Sequence, residues 1–174
     1  MTRYFFLFVL LLTLAGVGAY TWLGGFREPA VRLETTAAPV YLAGQPFAGR
    51  AGDEQFGALF RQAKEMQDAG RLRGDLANLY YNNPESARDT VRAFVGLAVA
   101  DTSQPLPAGF RYRVVRAGQR VVAARLRGTS YLLSPGKLYP AAEQALRDQK
   151  LQPRPFYLER FSPDDAAELW VGVQ

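Results

Sequence analysis

The feature that most constrains this chain is that it repeats itself. Shifted by 79 residues, Gly49 falls on Gly128, Gly57 on Gly136, Leu59 on Leu138, Phe60 on Tyr139, Ala63 on Ala142, Leu79 on Leu158 and Pro84 on Pro163. Upstream, Val31 and Leu33 fall on Phe110 and Tyr112. After the Pro turn the second copy loses three residues, and AFVGLAV (residues 93–99) then aligns with LWVGV (169–173), Gly96 over Gly172. Matches that keep their order at one offset mark a duplication, so one unit must fold twice and the copies must pack on each other. The repeats span 30–101 and 109–174.

Each copy predicts two strands, a helix and two more strands. VRLET and VYLAG flank Ala-Ala-Pro, and FRYRVV and RVVAARL flank Ala-Gly, patterns expected of hairpin-like turns. The first helix follows Asp53, a good N-cap, and places Phe56, Leu59, Phe60, Ala63 and Met66 on one face before Gly70 ends it. The second follows Ser134-Pro135, with Leu138, Tyr139, Ala142, Ala145 and Leu146 as its stripe. Pro140 predicts a kink there or a late start. Both stripes are core-facing.

Ahead of the repeats, Tyr4 to Leu23 is a run of 20 residues without a charge. As a helix it is about 30 Å long, one bilayer core, with Tyr4, Tyr20 and Trp22 at interfacial depth. Residues 1–25 are expected to form a retained single-pass anchor, and residues 26–174 the folded domain. A cleaved signal peptide, with Val17-Gly18-Ala19 at the cut, is the competing reading. Arg3 flanks one side and Arg27 and Arg32 the other, so charge does not choose an orientation.

The 174 residues contain no Cys and no His. Disulfides, thiolate chemistry, a Ser-His-Asp triad and the commonest metal ligand are excluded. No catalytic residue, metal or cofactor is assigned. The net charge of +5 is concentrated between Asp101 and Glu143, where Arg111, Arg113, Arg116, Arg120, Arg125, Arg127 and Lys137 meet no acid. Arg111, Arg113, Arg120, Arg125 and Arg127 are candidates for contact with an anionic surface; the plainer alternative is a strand edge kept soluble by charge. No helix-turn-helix, zinc finger or basic helix accompanies them, so nucleic acid is not expected as a partner.

LANLYYNNPE and PFYLERFSPD, each following a helix and a short loop, together with GKLYPAAEQALRDQKLQPRP before the second, resemble the gyrase-inhibitor-like (GyrI-like) small-molecule-binding domain, related in fold to the SOUL haem-binding domains. The resemblance covers about residue 30 to 174. The N-terminal apolar helix combined with LYYNNP resembles the membrane-anchored branch that contains the testis-expressed ER-phagy receptor. The chain ends at Gln174 without that receptor's long tail, so the tail-borne mechanism is not carried over. The resemblance implies an α+β fold: two pseudo-symmetric ββαββ repeats forming one eight-stranded, mostly antiparallel sheet, helices on one face, and a groove on the other for small aromatic or cationic effectors. Some relatives are hydrolases. Many members carry Glu early in the third strand of the unit; those positions are Asn78 and Tyr157 here.

Strand alternation then yields a site. Ala77, Leu79, Phe156 and Leu158 are expected to face the helices, leaving Asn78, Tyr80, Asn82, Tyr157, Glu159 and Phe161 to the groove. In the fourth strands Val95, Leu97, Val99, Leu169, Val171 and Val173 face the helices, and Phe94 and Trp170 the groove, beside Gly96 and Gly172 as open floor. The predicted ligand site is therefore Asn78, Tyr80, Phe94, Tyr157, Glu159 and Trp170. The function expected is a membrane-anchored, non-enzymatic module for a small apolar, aromatic or cationic ligand. The alternatives are a membrane-proximal protein adaptor of the receptor type and a hydrolase acting through Glu159.

Overall fold

A computed structural model describes residues 2–50, 52–86 and 90–174. It contains α1 (Thr2–Trp22), β1 (Ala30–Thr35), β2 (Val40–Gly49), α2 (Glu54–Asp68), β3 (Gly74–Tyr80), β4 (Val91–Val99), β5 (Arg111–Val115), β6 (Arg120–Arg127), α3 (Pro135–Asp148), β7 (Pro153–Phe161) and β8 (Ala166–Val173). The strands form one sheet in the order β1-β6-β8-β7-β3-β4-β2-β5. Every neighbouring pair is antiparallel. Residues 3–22 form a helix long and apolar enough to cross a membrane, a test that a signal sequence also passes.

The two copies meet at the centre. β3 pairs with β7, Leu79 directly opposite Leu158, with Asn78 opposite Glu159 and Tyr80 opposite Tyr157. A pseudo-twofold axis through the Leu79–Leu158 pair therefore carries Asn78 onto Tyr157 and Tyr80 onto Glu159, the 79-residue shift of the sequence.

The expected hairpins do not form. β1 pairs with β6 and β5 with β2, so each repeat gives its first strand to the other repeat's edge. This exchange dictates the shape of the sheet. β1 and β2 stand six strand spacings apart, about 29 Å if the sheet were flat. Only residues 36–39 join them, a link reaching about 17 Å when extended. Residues 116–119 join β5 to β6 across the same six spacings. The sheet must curl until the links meet, and they do: Thr36 N donates to Gln119 O, Gly118 N to Thr36 O, and Gln119 N to Thr36 Oγ1. A four-residue Gly- or Pro-containing link looks the same in sequence whether it turns a hairpin or closes a curled sheet.

Curling gives the sheet two buried faces. On one lie the helices, α2 over β2, β3 and β4, and α3 over β1, β6 and β8. Phe56, Leu59, Phe60 and Met66 pack there against a cluster that includes Val95, Leu97, Leu169 and Val171. Asp53 caps α2 by accepting from Gln55 N. Ser134 makes no cap bond; its Oγ donates to the carbonyls of Thr129 and Ser130. α3 runs through Pro140, whose ring is on the exposed side. On the helix-free face a second core forms from Leu42, Ala77, Leu79, Phe94, Val121, Leu158 and Trp170, supplied by both halves and covered by the sheet's own curvature.

Candidate functional site

The open aromatic groove expected on the helix-free face is absent from the described residues. Phe94 and Trp170 do point to that side, but as buried members of the second core. The glycines leave no floor: Gly96 stands opposite Gly44, where a Cβ would lie 2.1 Å from Ala43 O, and Gly172 lies under the Phe156 ring. Close strand approach in the tight curl is what they serve.

The third strands have the opposite sense to the one expected. Ala77, Leu79 and Leu158 belong to the helix-free core, with Phe156 packed against it. Tyr80, Tyr157 and Phe161 belong to the helix-side cluster. By strand alternation Asn78 and Glu159 share their side. Asn82 serves the β3–β4 connection, its Nδ2 donating to Thr90 O and its Oδ1 accepting from Arg92 N. The fourth-strand rows are as expected, Val95, Leu97, Val99, Leu169, Val171 and Val173 lying on the helix side. The six predicted site residues thus split: Asn78, Tyr80, Tyr157 and Glu159 gather on the helix side, Phe94 and Trp170 on the other.

What gathers on the helix side is a buried carboxyl. Glu159 is 5% exposed. Its Oε2 accepts from Asn78 Nδ2 at 3.0 Å and from the Tyr80 hydroxyl at 3.2 Å. Burial pushes its pKa above the ordinary carboxylate value, against the lowering influence of the neighbouring Asn78 amide and Tyr139 and Tyr80 hydroxyls. Burial is also the main reason the Tyr80 and Tyr139 hydroxyls titrate far above a free phenol, with the Glu159 charge adding to it. Tyr139, from α3, sits beside the carboxyl, yet its hydroxyl is buried without a partner of normal hydrogen-bonding geometry; Asn78 Oδ1 is orphaned as well. Two aromatic pairs enclose the group, Phe56 stacked on Tyr80 at 6.1 Å and Tyr139 on Tyr157 at 6.4 Å. Sequence reasoning missed Tyr139 and Phe56 as site residues, because their helical spacing marks them only as core.

A cleft of about 410 Å³ opens one rung away. Leu76 and Phe161 line it, as do Lys64 and Gln67 of α2, Tyr131 and Asp165. Leu76 and Phe161 face each other on β3 and β7, two residues from the Asn78–Glu159 pair, a step of about 7 Å along the strands. The cleft is a neighbour of the buried acid along the strands, and neither Glu159 nor Asn78 lines it.

The arginines proposed as one surface are dispersed. Arg111 and Arg113 lie on the β5 edge, and Arg113 is taken up by Tyr81, which accepts from its Nε at 2.8 Å. Arg120 donates to Gln174 O. Arg125 pairs with Glu34 and, at 2.6 Å, with Glu168; Glu168 also pairs with Arg160, whose guanidinium lies 4.8 Å from the Trp170 ring centre. Of the five, Arg125 and Arg127 border a basic hollow shared with Arg27 and Arg32. Residues on β5 and β6 are near in sequence but sit at opposite margins of the sheet.

No family model and no curated protein matches the sequence. Among solved structures, the chain is similar to an integron cassette protein from the mobile metagenome of Vibrio cholerae (TM-score 0.60, 13% identity, 84% of this chain and 96% of that one). It is also similar to SAV2435 bound to tetraphenylphosphonium (TM-score 0.56, 9% identity, 84% and 94%). A third similarity is to the C-terminal domain of EcmrR (TM-score 0.55, 13% identity, 85% and 98%). These are proteins of the GyrI-like effector-binding fold, and at such identity the likeness shows that fold. It lends no support to the ER-phagy-receptor branch. EcmrR is also seen in complex with DNA, so the expectation that nucleic acid is no partner gains nothing from the comparison.

Proposed function

We propose that this chain is a membrane-anchored, non-enzymatic module that binds a small aromatic or cationic molecule on the helix side of its sheet, against Glu159. The observation that carries the reading is a fully enclosed carboxyl among Asn78, Tyr80, Tyr139 and Tyr157, with two polar atoms orphaned beside it. A buried acid held by only two hydrogen bonds is a costly arrangement for a core and an apt one for a cation. An aromatic cation that parts the packing between the cleft at Leu76 and Phe161 and the acid exchanges the carboxyl's desolvation for an ion pair, and the tyrosine rings offer cation–π contacts of about 0.5–2 kcal/mol each. The solved relative holding tetraphenylphosphonium supports this chemistry by analogy of fold.

The groups around Glu159 are amide and phenol, none of them an activated nucleophile, which favours recognition over hydrolysis. An adaptor role is the second reading, favoured by the closed second core, which makes the domain a rigid body beside its anchor.

The test is titration of the full chain with tetraphenylphosphonium, calorimetrically, across pH. Because the Glu159 pKa is raised, the acid is protonated at low pH and ionises only as pH climbs through that raised value. Cation affinity is expected to climb with it, and Glu159→Gln to lose about tenfold or more in affinity along with the pH dependence. Undetectable binding at any pH, or binding indifferent to Glu159→Gln, overturns the reading.

A further inference from the structure

The junction between α1 and the domain is built as a contact. Leu23 O accepts from Ser130 N at 3.1 Å, Gly24 O from Thr129 Oγ1 at 3.2 Å, and Arg27 O from Lys137 Nζ at 2.8 Å. Gly24 has φ +76, and a Cβ on it would lie 2.0 Å from Gly128 O, so the turn at the helix end is pressed onto the β6–α3 loop. No free linker separates the helix from the domain.

Around this joint lie exposed apolar side chains that the core does not use. Trp22 is 85% exposed and Phe26 69%; on the docked loop, Leu132 is 71% exposed and Tyr131 is also exposed. Beside them a hollow of about 400 Å³ is lined by Arg27, Glu28, Ala30, Arg32, Arg125 and Arg127. Arg125 is committed to Glu34 and Glu168, and Glu28 offsets one charge. Arg27, Arg32 and Arg127 have no ion-pair partner among the described residues. Apolar and aromatic side chains flanked by arginines are the composition of a surface that rests in a headgroup layer.

We infer that the domain lies against the bilayer holding its own anchor, with Phe26, Tyr131 and Leu132 entering the interface and Arg27, Arg32 and Arg127 meeting lipid phosphates of an anionic leaflet. The inference rests on the proposed retention of α1 in the membrane, and goes beyond ligand binding by giving the domain a fixed pose. The cleft is lined by Tyr131, so docking brings that cleft to the membrane surface, where a ligand partitioned into lipid is concentrated.

The absence of Cys from the sequence makes the test direct. Single fluorophores are placed at Gly16→Cys in α1, Leu132→Cys on the loop, and Gln149→Cys just past the end of α3, about 20 Å along its axis from the loop. The full chain is reconstituted in nanodiscs of phosphatidylcholine, alone or mixed with phosphatidylglycerol, carrying nitroxide-labelled lipid. The expected result is deep quenching at 16, shallow quenching at 132 and little at 149, with the signal at 132 stronger on the anionic disc. The charge reversals Arg32→Glu and Arg127→Glu are each expected to lower the docked-to-free ratio about fivefold or more there. Quenching at 132 no greater than at 149 on the anionic disc, with 16 still quenched, overturns the docked pose and leaves the anchor standing. An unquenched label at 16 overturns both.

Discussion

Tyr80 and Glu159 occupy equivalent positions in the two repeats, yet one is a phenol and the other a carboxyl, and the first donates to the second. On the fourth strands of the same comparison, Phe94 and Trp170 are both large aromatics in the second core. The halves agree where they build the scaffold and differ where they meet on the helix side of the axis. A twofold-symmetric pair of acids there would place two carboxylates within hydrogen-bonding range, which cannot both ionise. The duplicated unit thus breaks its own symmetry at the two positions flanking the axis, Asn78 against Tyr157 and Tyr80 against Glu159.

Restoring that symmetry is the harshest way to break the comparison. Tyr80→Glu is expected to cost about 3–5 kcal/mol at neutral pH, through the lost ring volume and the second buried acid. Two acids with raised pKa values favour the proton-bound folded state, so the deficit shrinks as pH falls; urea unfolding at neutral and acidic pH reads both. Cutting the scaffold at the axis comes next. Leu79→Ala and Leu158→Ala, both buried, are each expected to cost about 2–5 kcal/mol, and similar values for the two would show the halves mechanically equal; calorimetric melting of the pair decides it. Tyr80→Phe removes only the hydrogen bond to Glu159. A loss of about 1 kcal/mol is expected, together with a further rise in the Glu159 pKa, visible as a shift of the cation-affinity profile to higher pH. The smallest effect belongs to the charged row on the helix-free face. Arg125 holds the Glu34 carboxyl below the ordinary value, so its contribution is present above the unfolded pKa and fades as pH falls through the folded one. Being partly exposed, the pair is worth under about 1 kcal/mol, and Glu34→Gln should narrow the neutral-to-acid difference in melting temperature by that little.

Much of the architecture was legible because it is written locally. The helical stripes of α2 and α3, the Asp53 cap and the fourth-strand rows follow from spacing alone. The orientation of the third strands was not legible. Alternation sorts Leu76, Asn78 and Tyr80 from Ala77 and Leu79, but both rows are apolar enough to be buried, and a sheet buried on both faces removes the contrast that says which row meets the helices. The placement of Phe94 and Trp170 with Glu159 failed for that reason. The arginine patch failed for another: nearness in sequence says nothing about strands that the exchange sends to opposite margins.

The sequence by itself determined that one unit is built twice, which elements each copy contains, and that a long apolar helix precedes them, because periodicity and the repeat offset are properties of the chain alone. Only the tertiary structure decided that the repeats trade first strands, that the sheet curls shut over Trp170, and that Glu159 ends beneath the helices. Those outcomes rest on which strands pair over long separations, and on links too short to let the sheet stay flat.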